Sequence, residues 1–150
     1  MIPEFDVNGR LPTGIHDVTL EEFKARFVYN SKRETIYKGL LKLISDLKAV
    51  GCPAIFVDGS FVTSKIMPAD VDVCWDDRGL DYEYVELNLP ILFDLHPPRL
   101  KQQLLYCADV FPAFIEQAGT KQRFLDFFQQ TKDDISIKKG IIKIEIYDQK

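Results

Sequence analysis

The sequence predicts a mixed α+β (α/β) domain built on one small mixed β-sheet with flanking helices. Apolar runs of strand length recur at 54–59, 70–75, 108–114 and 140–147. Segments with apolar residues at helical spacing lie before and between them. The resulting order is helices, two strands, helices, strand, helix, strand, which suits a single sheet. With 150 residues and no internal repeat or linker, the chain reads as one domain, 1–150.

Pro3, Gly9, Pro12 and Gly14 make residues 1–18 an extended, turn-rich arm. Thr19 to Glu22 is a capping box that opens a short helix ending near Phe27. Ser31 to Glu34 is a second such box. The helix it starts carries Ile36, Leu40, Leu43, Ile44 and Leu47 on one face and stops at Gly51 and Pro53. The run 54–59 ends at Gly59, and the Val-rich run 70–75 alternates, so both are strands. Residues 76–79 turn the chain, with Asp76 and Asp77 read as solvated, and 81–89 form a helix limited by Pro90. A break at His96-Pro97-Pro98 precedes a helix over 99–106. The run 108–114 is a strand, and 121–130 a helix with Phe124, Leu125, Phe127 and Phe128 inward. In 140–147, Ile142, Ile144 and Ile146 alternate with Lys143, Glu145 and Tyr147, giving a strand with one solvated face that could pair with a partner chain at an exposed edge.

Composition excludes several function classes. A net charge of -4 with a pI near 5.2 argues against a broad basic surface for nucleic acid. No apolar run approaches the roughly 18 residues needed to span a membrane, and the N-terminus lacks a signal-like apolar core, so a cytoplasmic location is expected. Cys52, Cys74 and Cys107 form no CxxC or Cys/His cluster, so zinc is not expected and all three are read as reduced and mostly buried. His16 and His96 are read as packing or capping residues, since neither has a nucleophile at motif spacing.

Chemistry concentrates in "FVDGSFVTSKIMPADVDVCW", residues 56–75. Period two puts Asp70 and Asp72 on one face of a strand, with Val71 and Val73 on the other. Two carboxylates about 7 Å apart along a strand repel and call for compensation. Hard oxygen ligands without His or Cys point to Mg²⁺ or Mn²⁺. Gly59-Ser60 ends the preceding strand in a turn whose N–H groups and hydroxyl suit phosphate oxygens. Phosphate turn plus metal dyad are the parts of phosphoryl or nucleotidyl transfer. The bland alternative is a β-edge with solvated acids. Asp58 reads as a turn acid and Lys65 as a surface lysine.

Gly-Ser followed at this distance by Asp-hydrophobic-Asp resembles the signature of the DNA polymerase β-like nucleotidyltransferase superfamily. The resemblance implies a nucleotidyltransferase fold in which Gly59 and Ser60 bind the nucleotide and Asp70 and Asp72 bind the metals. A third carboxylate, matched by Asp109 in "CADVFPAF" with Asp94 as the rival, would complete the metal site and take the acceptor proton. The interval "FVTSKIMPA" departs from the "ARG"-type loop of the smallest members, and Lys65 stands where a basic phosphate contact could replace it. The chain is also similar to small stand-alone nucleotidyltransferase-like proteins through Ile2 to Phe5, Leu11 to His16, Glu22-Phe23, "DGSFVT" and "KGIIKI". That resemblance implies a Mg²⁺-dependent (or Mn²⁺-dependent) transferase with an NTP as substrate. Its acceptor would be a protein or a small molecule, a tRNA end being the less favoured choice, and a toxin–antitoxin or phage-defence setting would fit. The other reading is a catalytically silent module that binds a partner protein or a nucleotide.

Overall fold

A computed structural model describes residues 1–117, 119–131 and 138–146. The fold is α+β, with a five-stranded mixed sheet and helices packed on it. The strands are β1 (Gly14–Asp17), β2 (Ala54–Asp58), β3 (Val71–Trp75), β4 (Ala108–Pro112) and β5 (Gly140–Glu145). They lie in the order β1-β5-β2-β3-β4. β2 pairs antiparallel with both β5 and β3, while β1–β5 and β3–β4 are parallel. The helices are α1 (Leu20–Phe27), α2 (Ser31–Ala49), α3 (Tyr82–Asn88), α4 (Leu100–Tyr106) and α5 (Phe124–Phe128). Short 3₁₀ turns cover Ser60–Val62 and Pro90–Phe93.

Alternation along the strands sorts the sheet into two faces. Ile55, Val57, Val71, Val73, Trp75, Ala108, Val110, Ile142 and Ile144 point to one side, where Phe23, Phe27, Ile36, Leu40, Leu43 and Leu47 of α1 and α2 cover them. The opposite face carries Phe56, Cys74, Phe111 and Ile141, packed on Leu125 and Phe128 of α5. That short helix covers only part of the second face. The acids of β3 and β4 share this face.

Most expected elements are present, with shifts at their ends. The Thr19–Glu22 capping box forms in both directions. For α2 the cap is Asn30, which accepts from the Arg33 N–H, and Ser31 is the first helical residue. Both residue types cap well, and the earlier one wins because its backbone is extended. The expected helix over 121–130 shrinks to Phe124–Phe128, which has no side-chain cap, and Phe127 is exposed rather than inward. The arm holds a strand that alternation did not signal, because β1 is four residues long and set among Gly and Pro.

β1 also removes the expected partner-pairing edge. β5 lies between β1 and β2, so both of its sides are hydrogen-bonded within the chain. Its second face is partly covered through Ile141, not wholly solvated. Tyr147, assigned to this strand from the sequence, lies outside the described residues. Cys52 and Cys74 are buried, Cys107 is half-buried, and all three are free thiols. No helix among the described residues is long and apolar enough to cross a membrane.

Asp76 and Asp77 are buried, not solvated. Asp76 takes two hydrogen bonds from the Arg78 guanidinium at 3.0 and 3.1 Å. Asp77 accepts from the Tyr82 hydroxyl and, at 2.8 Å, from the Phe114 N–H, and so ties the turn after β3 to the chain leaving β4. Burial raises the Asp77 carboxyl above the usual range. His16 faces the Pro12 carbonyl oxygen across 2.7 Å, and the exposed His96 gives its carbonyl to the Arg99 N–H.

Candidate metal and phosphate site

Register places the acids. Asp58 is opposite Asp72 in the β2–β3 ladder, and Asp72 is opposite Asp109 in the β3–β4 ladder. Opposite residues on neighbouring strands share a face, so three aspartates form a row across the sheet. Asp70 stands two residues before Asp72, just outside β3, and joins the row from its end. One carboxylate oxygen each from Asp70, Asp72 and Asp109 comes within 4.8 Å of the others. The side chains therefore converge to less than the 7 Å that the strand repeat alone implies. The three residues are half-buried. The structure brings Asp109, not Asp94, to this cluster; Asp94 follows the 3₁₀ turn 90–93.

Neighbouring groups answer the charge unequally. Lys139, just before β5, puts its Nζ 3.2 Å from Asp58 Oδ2. The Arg99 Nη1 is 3.6 Å from Asp109 Oδ2, with the guanidinium 4.5 Å above the Phe111 ring and its Nε buried without a partner. Gln103 Nε2 donates to Asp70 Oδ2 at 2.9 Å and to Asp109 Oδ1 at 2.8 Å, bridging the two. The preceding residue fixes that bridge. Gln102 is fully buried, accepts from the Val110 N–H at 2.8 Å and donates to the Ile91 carbonyl at 2.9 Å, which locks α4 onto β4.

Asp72 sits in the middle of the row. Burial, then Asp58, Asp70 and Asp109, push its carboxyl up from 3.8 to about 7, while Lys139 pulls it down. A site that holds a carboxyl half-protonated near neutrality is short of positive charge. Among the described residues the donor set is three carboxylates, hard oxygen ligands of the kind that suit Mg²⁺ or Mn²⁺.

Gly59 connects this row to the turn that follows. Its φ of 86° and ψ of -174° lie in a region essentially closed to other residues. A Cβ there would stand 2.7 Å from Asp72 Oδ2. The turn after β2 is thus packed directly on the central carboxylate. Ser60 opens the 3₁₀ turn and is half-buried. Gly59→Ala should cost roughly 1–3 kcal/mol from backbone strain alone. It should also displace Asp72, so urea melts and Mn²⁺ titration should both register the change; a variant normal in both would show the contact to be slack.

Lys65 does not join the cluster. Its side chain is exposed and makes no ion pair with the acids; its backbone is what the fold uses, accepting from Arg33. The residues that sequence reasoning missed are Asp58, Lys139, Arg99 and Gln103. Asp58 carried a signal, since it ends a fully buried strand instead of starting a turn. The other three lie 27 or more residues beyond Asp72 along the chain and show no local motif.

Comparison with known proteins gives the family. Residues 3–145 match "Family of unknown function (DUF6932)", which spans nearly the whole chain, and the chain belongs to that family. No curated protein and no solved structure matches it.

Proposed function

We propose that this member of a family of unknown function is a Mg²⁺-dependent nucleotidyltransferase, moving a nucleoside monophosphate from an NTP to a protein or small-molecule acceptor. The observation that carries the reading is the convergence of Asp70, Asp72 and Asp109 beside a glycine turn that touches Asp72. Asp70, Asp72 and Asp109 would hold the divalent cation. When bound, it would neutralise charge on the phosphates and acidify the acceptor hydroxyl. Gly59 and Ser60 offer the triphosphate N–H groups and a hydroxyl at a turn that no Cβ obstructs. The acceptor oxygen bonds to the α-phosphorus, its proton passes to the Asp109 carboxylate, and the bond to the bridging oxygen breaks to release pyrophosphate. Positioning and charge neutralisation supply most of the rate in such transfers.

The net charge of -4 argues against a polynucleotide track and favours a protein or small acceptor. A toxin–antitoxin or phage-defence role accords with the resemblance read from the sequence. Calorimetric titration with ATP, GTP, CTP and UTP, with and without Mg²⁺, tests the reading. At least one should bind only with the metal, and the Asp70→Asn, Asp72→Asn double variant should lose that binding while keeping its fold. Binding of none of the four would leave the silent, partner-binding module as the better account, with capture of a partner as the next assay.

A further inference from the structure

We propose that Lys139 is a substrate-positioning residue that meets the phosphates of the nucleotide, the role that the family resemblance suggested for Lys65. This rests on the nucleotidyltransferase reading of the same site. Three observations lead to it.

The backbone around Lys139 is clamped from two directions. Its N–H donates to the Gln129 carbonyl at 2.8 Å, at the end of α5. On the other side the Gly140 N–H donates to the Leu11 carbonyl at 3.0 Å, and Thr13 reaches the Lys138 carbonyl at 3.4 Å. Gly140 is held so closely that a Cβ would lie 2.0 Å from the Pro12 carbonyl oxygen. The N-terminal arm and α5 together therefore fix where the Lys139 side chain starts.

That side chain ends at the acid row, not in solvent. It is only 19% exposed and its ammonium lies 3.2 Å from Asp58 Oδ2. Asp58 is buried and directly opposite Asp72 in the sheet. Lysine is a compact point charge on a flexible stem, able to exchange one anionic partner for another within a short reach.

Charge balance gives the exchange a reason. Among the described residues, Asp58, Asp70, Asp72 and Asp109 face Lys139 and Arg99, so the fully ionised row sets four carboxylates against two cations and is net negative. In that state Lys139 is held on Asp58. With a divalent cation on the carboxylates the excess is cancelled, and an incoming triphosphate becomes the strongest anion within reach of Lys139. Arg99 is less suited to the exchange, since its guanidinium is stacked on Phe111 and its side chain is 17% exposed.

A purely structural lysine, present only to neutralise Asp58, makes a different forecast, and paired variants separate the two. Binding of Mg·ATP, Mg·GTP, Mg·CTP, Mg·UTP and Mg·tripolyphosphate is measured by calorimetry, and Mn²⁺ affinity by paramagnetic relaxation. Lys139→Met should weaken the bound nucleotide about 10- to 100-fold, as expected for loss of a charge-assisted contact. Tripolyphosphate should weaken in parallel, and Mn²⁺ affinity should change less than about threefold. Lys139→Arg should recover most of the nucleotide affinity. The decisive protein is the Asp58→Asn, Lys139→Met double variant, in which no buried charge is left unpaired by the loss of the lysine. It should remain as weak as Lys139→Met. Recovery to the wild-type affinity would reduce Lys139 to a counter-ion of Asp58 and overturn the proposal. Unchanged nucleotide binding in Lys139→Met would overturn it too, leaving the site reading intact. A wild-type protein that binds Mn²⁺ but none of the five ligands would remove the nucleotidyltransferase reading and this inference with it.

Discussion

Replacing Asp72 by Asn should make the metal-free protein more stable at pH 8 while abolishing its binding of divalent cations. The Asp72 carboxyl titrates near 7 in the fold against 3.8 for an unperturbed group, because burial and three neighbouring acids disfavour its charge. The folded state therefore holds the proton more tightly than the unfolded chain. Stability from this group is fully present below about pH 4 and is lost as the pH rises through about 7. The shift corresponds to roughly 2–4 kcal/mol once partial exposure is allowed for. Asn carries no charge, so at pH 8 the variant escapes most of that loss, and at pH 5 its advantage should shrink to about a third of the pH 8 value. Urea melts in EDTA at both values check this. Added Mg²⁺ should stabilise the wild type at pH 8, flatten its pH dependence and leave Asp72→Asn unmoved. A variant less stable than wild type at pH 8 in EDTA would mean that the carboxylate is held by contacts of its own.

The second large effect should come from Arg33, which touches none of the acids. It is fully buried, and its guanidinium donates to five backbone carbonyls: Phe27 at 3.0 Å, Phe61 at 2.6 Å, Thr63 at 3.2 Å, Ile66 at 3.3 Å, and Lys65. The guanidinium also lies 4.8 Å from the rings of Tyr29 and Phe61. Four of the five carbonyls belong to the segment between the Gly59-Ser60 turn and Asp70. One side chain of α2 thus sets the path of the loop that joins the two halves of the site. Arg33→Met would strand those carbonyls and should cost about 3–5 kcal/mol. Arg33→Lys keeps the charge but cannot reproduce the planar fork, so it should lose an intermediate amount. Hydrogen exchange should locate the loosening in residues 61–67. A lysine variant as stable as wild type would show that charge alone, without the fork, holds the loop.

The central strands and their acids were legible because each carries its signal within a few residues. The alternation in 70–75 assigned Asp72 to one face and Val71 and Val73 to the other, and the strand has them so. Asp109 could be nominated because a single acid in an apolar strand is conspicuous. What the sequence hid depended on pairing at long range. β1 has four residues and no partner before Gly140, so nothing local marks it. Asp58, Asp76 and Asp77 read locally as turn acids because local composition cannot report burial, which the surrounding elements decide. Gln103 and Lys139 reach the row only after α4 has locked on β4 and after β5 has inserted beside β2. The same dependence on assembly explains why α5 is shorter than its periodicity suggests: five residues are helical where the sheet supports them.

The insertion of β5 between β1 and β2 bears on how the chain is made. Residues 14–17 and 54–58 emerge early from the ribosome, yet their common neighbour is residues 140–145. Until residues 140–145 are synthesised, β2 has an open edge and β1 has nowhere to pair. The nascent chain can assemble α2 on the β2–β3–β4 part, but the sheet closes only once residues 140–145 have been made. A stalled or truncated product lacking residues 140–145 would present two adhesive strand edges and also lack Lys139's anchoring strand.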